Sequence, residues 1–123
     1  MIESAAEGQR IATLALEART KGKLTTAQVI QRYEEVTRLD PAVHWDWVEL
    51  GRLYQATGSL PSALRAAQVA ADTAADDRDH TVAQDAIGDV LVAQGDLPGA
   101  LTAYRKSHTI AETLAARDTG NTQ

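Results

Sequence analysis

The sequence predicts an all-α fold, a solenoid of three antiparallel helix hairpins with about six helices in 123 residues, and three observations carry that prediction. Gly22, Gly58 and Gly95 recur at spacings of 36 and 37. The same offsets align Leu24, Leu60 and Leu97, then Ala27, Ala63 and Ala100. Upstream of each glycine the register is kept by Leu14, Leu50 and Ile87, by Ala15, Gly51 and Gly88, and by Ala18, Tyr54 and Leu91. Secondly, "VHWDWVELGRLYQATG" sets Val43, Trp47, Leu50 and Tyr54 at spacings of four, three and four, one stripe of a helix. Thirdly, no segment shows the strict apolar–polar alternation of a half-buried strand.

The elements follow in order. Helices are expected over about 4–21, 26–39, 42–57, 60–76, 80–94 and 97–117. Thr25 followed by Gln28 forms a capping box for the second helix. In "LDPAV", Asp40 reads as a cap and Pro41 as the first residue of the third helix. Ser59 before Pro61, and Asp96 before Pro98, open the fourth and sixth. Within "ADDRDHT", Asp77 or Asp79 caps the fifth, where negative charge suits the positive end of the helix dipole. Small residues (Ala15, Gly51, Gly88; Ala27, Ala63, Ala100) allow paired helices to approach closely. A single helix of this length is marginal in water, so each hairpin requires its neighbour.

Composition narrows the function classes. Charged residues at 24% and apolar ones at 44% suit a globular domain, and at this length one domain is expected. The chain has no cysteine, which removes disulfides and thiolate metal sites and makes the cytoplasm the expected compartment. "MIESAAEGQR" has no signal-peptide pattern, and no apolar run is long enough to span a bilayer. The net charge is −5; residues 41–123 carry eleven acidic against six basic side chains, and no basic stripe offers itself to a phosphate backbone. Nucleic acid and membrane are therefore not expected partners.

Trp47, Leu50, Gly51 and Tyr54, within "WVELGRLY", carry the W-x-x-L-G-x-x-Y pattern, and in this the sequence resembles the tetratricopeptide repeat family. Gly58, Ala63 and Ala70 extend the likeness, and the last unit matches through Gly88, Gly95, Ala100 and Tyr104. In the first unit alanine replaces the helix-one glycine and Ile11 stands in the tryptophan column. The long last helix resembles the arrays of kinesin light chains and large bacterial repeat proteins. The resemblance implies a right-handed superhelix with units of about 4–41, 42–78 and 79–118 and a tail at 119–123, a single domain 1–123 forming part of a longer array or protein. It also implies a protein-interaction scaffold whose first helices line a concave, ligand-binding face.

On that geometry the groove residues are expected to be Trp45, Glu49, Arg52 and Gln55 in unit two and Val82, Asp85, Asp89 and Val92 in unit three. Gln9, Ala12, Leu16 and Arg19 occupy the same places in unit one. Asp85 and Asp89, four apart, share a face and repel unless a cation lies over them. The expected ligand is a protein or peptide segment of basic, partly apolar character. Trp45 lies outside the repeat pattern. It is either an apolar handle in the groove or a seal between units one and two near Val36 or Leu39.

Catalysis, cofactor and metal are not expected. His44, His80 and His108 lie in separate units, and His108 with Glu112 is a lone i, i+4 pair. "DDRD" lacks the glycine and distal glutamate of a calcium loop, and no serine sits in a nucleophile's context. A second reading is structural: self-association, as a homo-oligomer or within a larger array, through the helix 97–117. That helix has one edge of Leu101, Tyr104, Ala111 and Ala115, expected to pack in its own hairpin, and another of Ala103, Ile110 and Leu114, expected to be left for a neighbour.

Overall fold

The computed structural model describes residues 7–14, 21–22 and 24–121. A helical stretch over 7–14 (α1) is followed by α2 (Thr26–Leu39), α3 (His44–Ala56), α4 (Leu60–Asp72), α5 (Asp77–Ala93) and α6 (Leu97–Asn121), and no strand occurs among the described residues. Successive helices pack on one another, α2 on α3, α3 on α4, α4 on α5 and α5 on α6. In addition α3 touches α5, whereas no comparable contact joins α2 to α4 or α4 to α6. The first helices of consecutive hairpins therefore run along the inner side of the stack.

Helix ends follow local chemistry. The Thr25–Gln28 capping box forms in full, with Gln28 N–H on the Thr25 hydroxyl at 3.2 Å and Thr25 N–H on the Gln28 carbonyl at 2.9 Å. Gly22, Gly58 and Gly95 all hold φ between +73° and +83°, the left-handed turn that a Cβ disfavours, so the glycine spacing marks the hairpin bends. Two expected caps move. Asp76, not Asp77 or Asp79, caps α5 by accepting the Asp79 N–H at 2.9 Å; Asp77 and Asp79 fall in the first turn. Asp40 closes α2, and α3 starts only at His44, two residues later than expected. Asp40 instead takes the Ala42 N–H at 3.3 Å, which folds "DPA" into a turn. The indole of Trp47 fixes that turn, donating to the Pro41 carbonyl at 2.8 Å.

Two clusters form the core. Ala12, Val29, Tyr33, Val36, Leu50 and Leu53 make the first; Val48, Ala70 and Ala83 make the second. Half-buried Trp47 packs against both, so it is Trp47 that joins the hairpins, and Trp45 is not the seal. Truncating an enclosed leucine such as Leu50 or Leu53 to alanine costs about 2–5 kcal/mol in cores of this density.

The repeat register also needs a correction in unit one. Ala27 is exposed, unlike Ala63 and Ala100, and its place is taken by fully buried Val29. The reason is a longer bend: two residues separate Gly22 from its cap Thr25, whereas Ser59 and Asp96 directly follow their glycines. Second-helix positions in units one and two are thus 34 apart, matching Val29 to Ala63, Tyr33 to Ala67 and Val36 to Ala70. On α6 the expected inward edge holds only at Tyr104, since Leu101, Ala111 and Ala115 are exposed. Ala100, Ala103 and Ser107 are buried with Ile110 and Leu114 half-buried, while Leu97 and Leu101 stand 64% and 48% exposed. Tyr104, from the edge expected to pack in its own hairpin, does lie against Gly88.

A candidate interaction groove between α3 and α5

On the inner side of the stack, Val48, Gly51, Arg52 and Gln55 of α3 face Val82, Asp85, Ala86, Asp89 and Val90 of α5 across a cavity of about 230 Å³. Ala63 and Ala67 of α4 close it from below. Residues 48, 51, 52 and 55 follow i, i+3, i+4, i+7, and 82, 85, 86 and 89 repeat that spacing, so each helix gives one stripe to the hollow. Its floor is made of Gly51, Ala63 and Ala67, none of which carries more than a methyl group.

Five of the eight expected groove residues line this cavity: Arg52, Gln55, Val82, Asp85 and Asp89. The other three do not. Trp45 belongs to the same stripe of α3 one turn nearer its N-terminus, where it is 53% exposed and its ring meets His44 edge-on, centroids 4.8 Å apart. Val92 is 46% exposed toward the other end of α5. Glu49 is half-buried on the flank facing unit one, where its charge, after burial itself, helps push Tyr33 up to about 12. In unit one, Ala12 is core, Gln9 donates to Asp46 at 2.9 Å, and Leu16 and Arg19 lie outside the described residues.

The polar rim is partly engaged. Asp89 accepts the Tyr104 hydroxyl at 2.5 Å, and that bond, with burial and the negative charges of Asp89 and Asp85, raises the phenol to about 12. Arg52 leans on Glu49 at 3.8 Å, an exposed pair of little energetic weight. No ion pair to Asp85 forms among the described residues. Across α3, a second hollow of about 200 Å³ lies between α2 and α4, bordered by Trp47 and Tyr54. There the Tyr54 hydroxyl bonds Glu34 at 2.5 Å, and burial followed by that bond lifts it to about 12.

Other polar clusters have structural work. His108 meets Glu112 at 2.7 Å on the surface of α6, and Asp77 pairs with Arg117 at 2.8 Å, tying the start of α5 to the far part of α6. His44 is buried with its Nδ1 2.7 Å from the Ala70 carbonyl, which makes Nδ1 the protonated nitrogen. Among the described residues no three His, Asp or Glu side chains converge as a metal cage, and no helix is long and apolar enough to cross a membrane.

Sequence reasoning missed the floor. Gly51, Ala63 and Ala67 are small packing residues and carry no chemical flag, although Ala67 opposite Tyr104 at the 37-residue offset was visible.

No family model matches the chain, and no curated protein sequence is significantly similar to it. Solved structures do match in shape. The crystal structure of MamA superposes with a TM-score of 0.77 at 16% identity, over 89% of this chain and 61% of that one. The N-terminal domain of stress-induced protein-1 (STI-1) from C. elegans gives 0.77 at 15% identity, over 87% of this chain and 86% of that one. The chain thus spans about three-fifths of the MamA chain it matches. Both neighbours are helical-repeat proteins of the tetratricopeptide type. At such identities the likeness is one of fold: this chain is a tetratricopeptide-like stack of helix hairpins.

Proposed function

We propose that this domain is a non-catalytic interaction scaffold that holds a partner segment, basic and partly apolar, along the α3–α5 groove. The observation that carries the reading is the cavity shared by the two inner helices, apolar below and edged by Asp85, Asp89 and Arg52. A cytoplasmic setting, a single domain over 1–123 and membership of a longer array belong to the same reading. Recognition here is complementarity of charge and shape, with no bond made or broken.

Peptides selected from a random displayed library against the folded domain test it. Asp85→Lys with Asp89→Lys should weaken the selected binders at least tenfold, while Arg65→Glu, outside this groove, should leave them unchanged. Equal effects from both variants would sink the groove as the binding face.

A second reading, self-association through α6, is favoured by the neighbouring exposed Leu97 and Leu101. It predicts a mass that grows with protein concentration and a monomer on Leu97→Lys with Leu101→Lys.

A further inference from the structure

The groove floor carries a more specific message. Aligned by their buried positions, the second helices place Tyr33, Ala67 and Tyr104 in one column. In unit three the Tyr104 ring lies flat against the glycine of the first helix: a Cβ built on Gly88 would come 2.5 Å from Cε1 and 2.8 Å from Cδ1. Unit two keeps the matching glycine, Gly51, but Ala67 supplies no ring, and a Cβ built there meets nothing nearer than 3.6 Å. The cavity of about 230 Å³ lies over those same residues, Gly51, Ala63 and Ala67.

Resting on the groove reading above, we infer that this cavity takes one bulky apolar side chain, an aromatic ring above all, from a bound peptide that carries a lysine or arginine beside it. The size suits: an apolar cavity of about 150 Å³ already accepts benzene. Val48, Val82 and Val90 give the ring apolar walls. Charge selects the neighbour. Asp85, on the rim, enters no ion pair among the described residues, and Asp89 adds a second carboxylate four residues on. A cation next to the anchoring ring relieves the repulsion between them. Burying the ring supplies affinity, and the cation supplies orientation and speed of encounter.

The test uses capped hexapeptides of alanine and lysine that differ at one central position, phenylalanine, leucine or alanine, titrated into the labelled domain and followed by amide chemical shifts. The phenylalanine peptide should bind at least tenfold more tightly than the alanine one, with leucine between, and shift residues around Gly51 and Ala86. Ala67→Tyr supplies the missing ring from inside and should abolish the preference while the weak lysine-driven binding persists. Ala86→Leu, which fills the hollow from the opposite wall, should act alike and covers the case in which the tyrosine variant fails to fold. If all three peptides shift the groove amides with equal affinity, the anchor inference is overturned and the groove reading survives. If every peptide shifts amides only outside α3 and α5, both fall.

Discussion

Gly51 and Gly88 occupy the same place in successive repeats, yet replacing each with alanine should have opposite effects. Alanine in the middle of a helix gains about 0.5–1 kcal/mol over glycine, because less backbone freedom is lost on folding. At Gly51 nothing opposes the gain: the added methyl would lie 3.6 Å from the Ala63 carbonyl and from the Ala66 Cβ, ordinary contact distance. At Gly88 the methyl would enter the Tyr104 ring, with three ring atoms at 2.5, 2.8 and 2.8 Å. Clearing a normal contact of about 3.5–4 Å moves the ring outward by roughly 1 Å. It also strains the Tyr104 bond to Asp89. Overpacking of one methyl costs about 1–3 kcal/mol against that gain of about 0.5–1 kcal/mol, so Gly88→Ala should end about 0–2.5 kcal/mol less stable than wild type and Gly51→Ala somewhat more stable. Reversible thermal and urea melts followed by far-ultraviolet circular dichroism read the difference, roughly 3–6 °C for each kcal/mol in a domain of this size. A double-mutant cycle assigns the cause: in a Tyr104→Ala background, Gly88→Ala should become as benign as Gly51→Ala. Should Gly88→Ala stabilise the protein, or act the same with and without the ring, the packing argument for this column fails.

Three further outcomes are expected. Tyr33, Tyr54 and Tyr104 should all ionise near 12 instead of 10, seen as late tyrosinate absorbance in an alkaline titration. Because folding raises these values, their contribution to stability is complete below pH 10 and is lost as the pH climbs through about 12. Asp46, raised from the usual 3.8 by burial and by Asp40 against the Gln9 bond, follows the same rule in the acid range, so at neutral pH its charge already costs stability. Asp46→Asn should melt higher than wild type at pH 7, and the gap should close as the pH falls to 3.8, where the wild-type side chain is protonated as well. Trp47→Ala should cost about 3 kcal/mol in urea unfolding, since it opens both clusters, whereas exposed Trp45→Ala should cost less than about 0.5 kcal/mol.

The repeat was legible because its markers are backbone requirements. Gly22, Gly58 and Gly95 must take a left-handed turn, so their spacing survives in the sequence and measures the hairpins. The helical stripe through Trp47, Leu50 and Tyr54 was equally direct. What stayed hidden depends on lengths and on empty space. Two extra residues after Gly22 shift α2 against the later repeats, so Ala27 looked like a column member and Val29 did not. The rotation of α6 is not legible because Leu101 is more apolar than Ala100 or Ser107, yet it is the small Ala100, Ala103 and Ser107 that are buried. The rim of the groove could be read from i, i+4 spacing, as Asp85 with Asp89 shows. Its floor could not, since Gly51 and Ala67 matter for the atoms they lack.

The α3–α5 face is the proposed seat of a partner segment. An amide chemical-shift map of the domain saturated with a library-selected peptide tests it most directly. Perturbations should concentrate at Val48, Gly51, Arg52, Gln55, Val82, Asp85, Ala86 and Asp89. A map centred on Leu97 and Leu101, or on the hollow beside Trp47 and Tyr54, would contradict it.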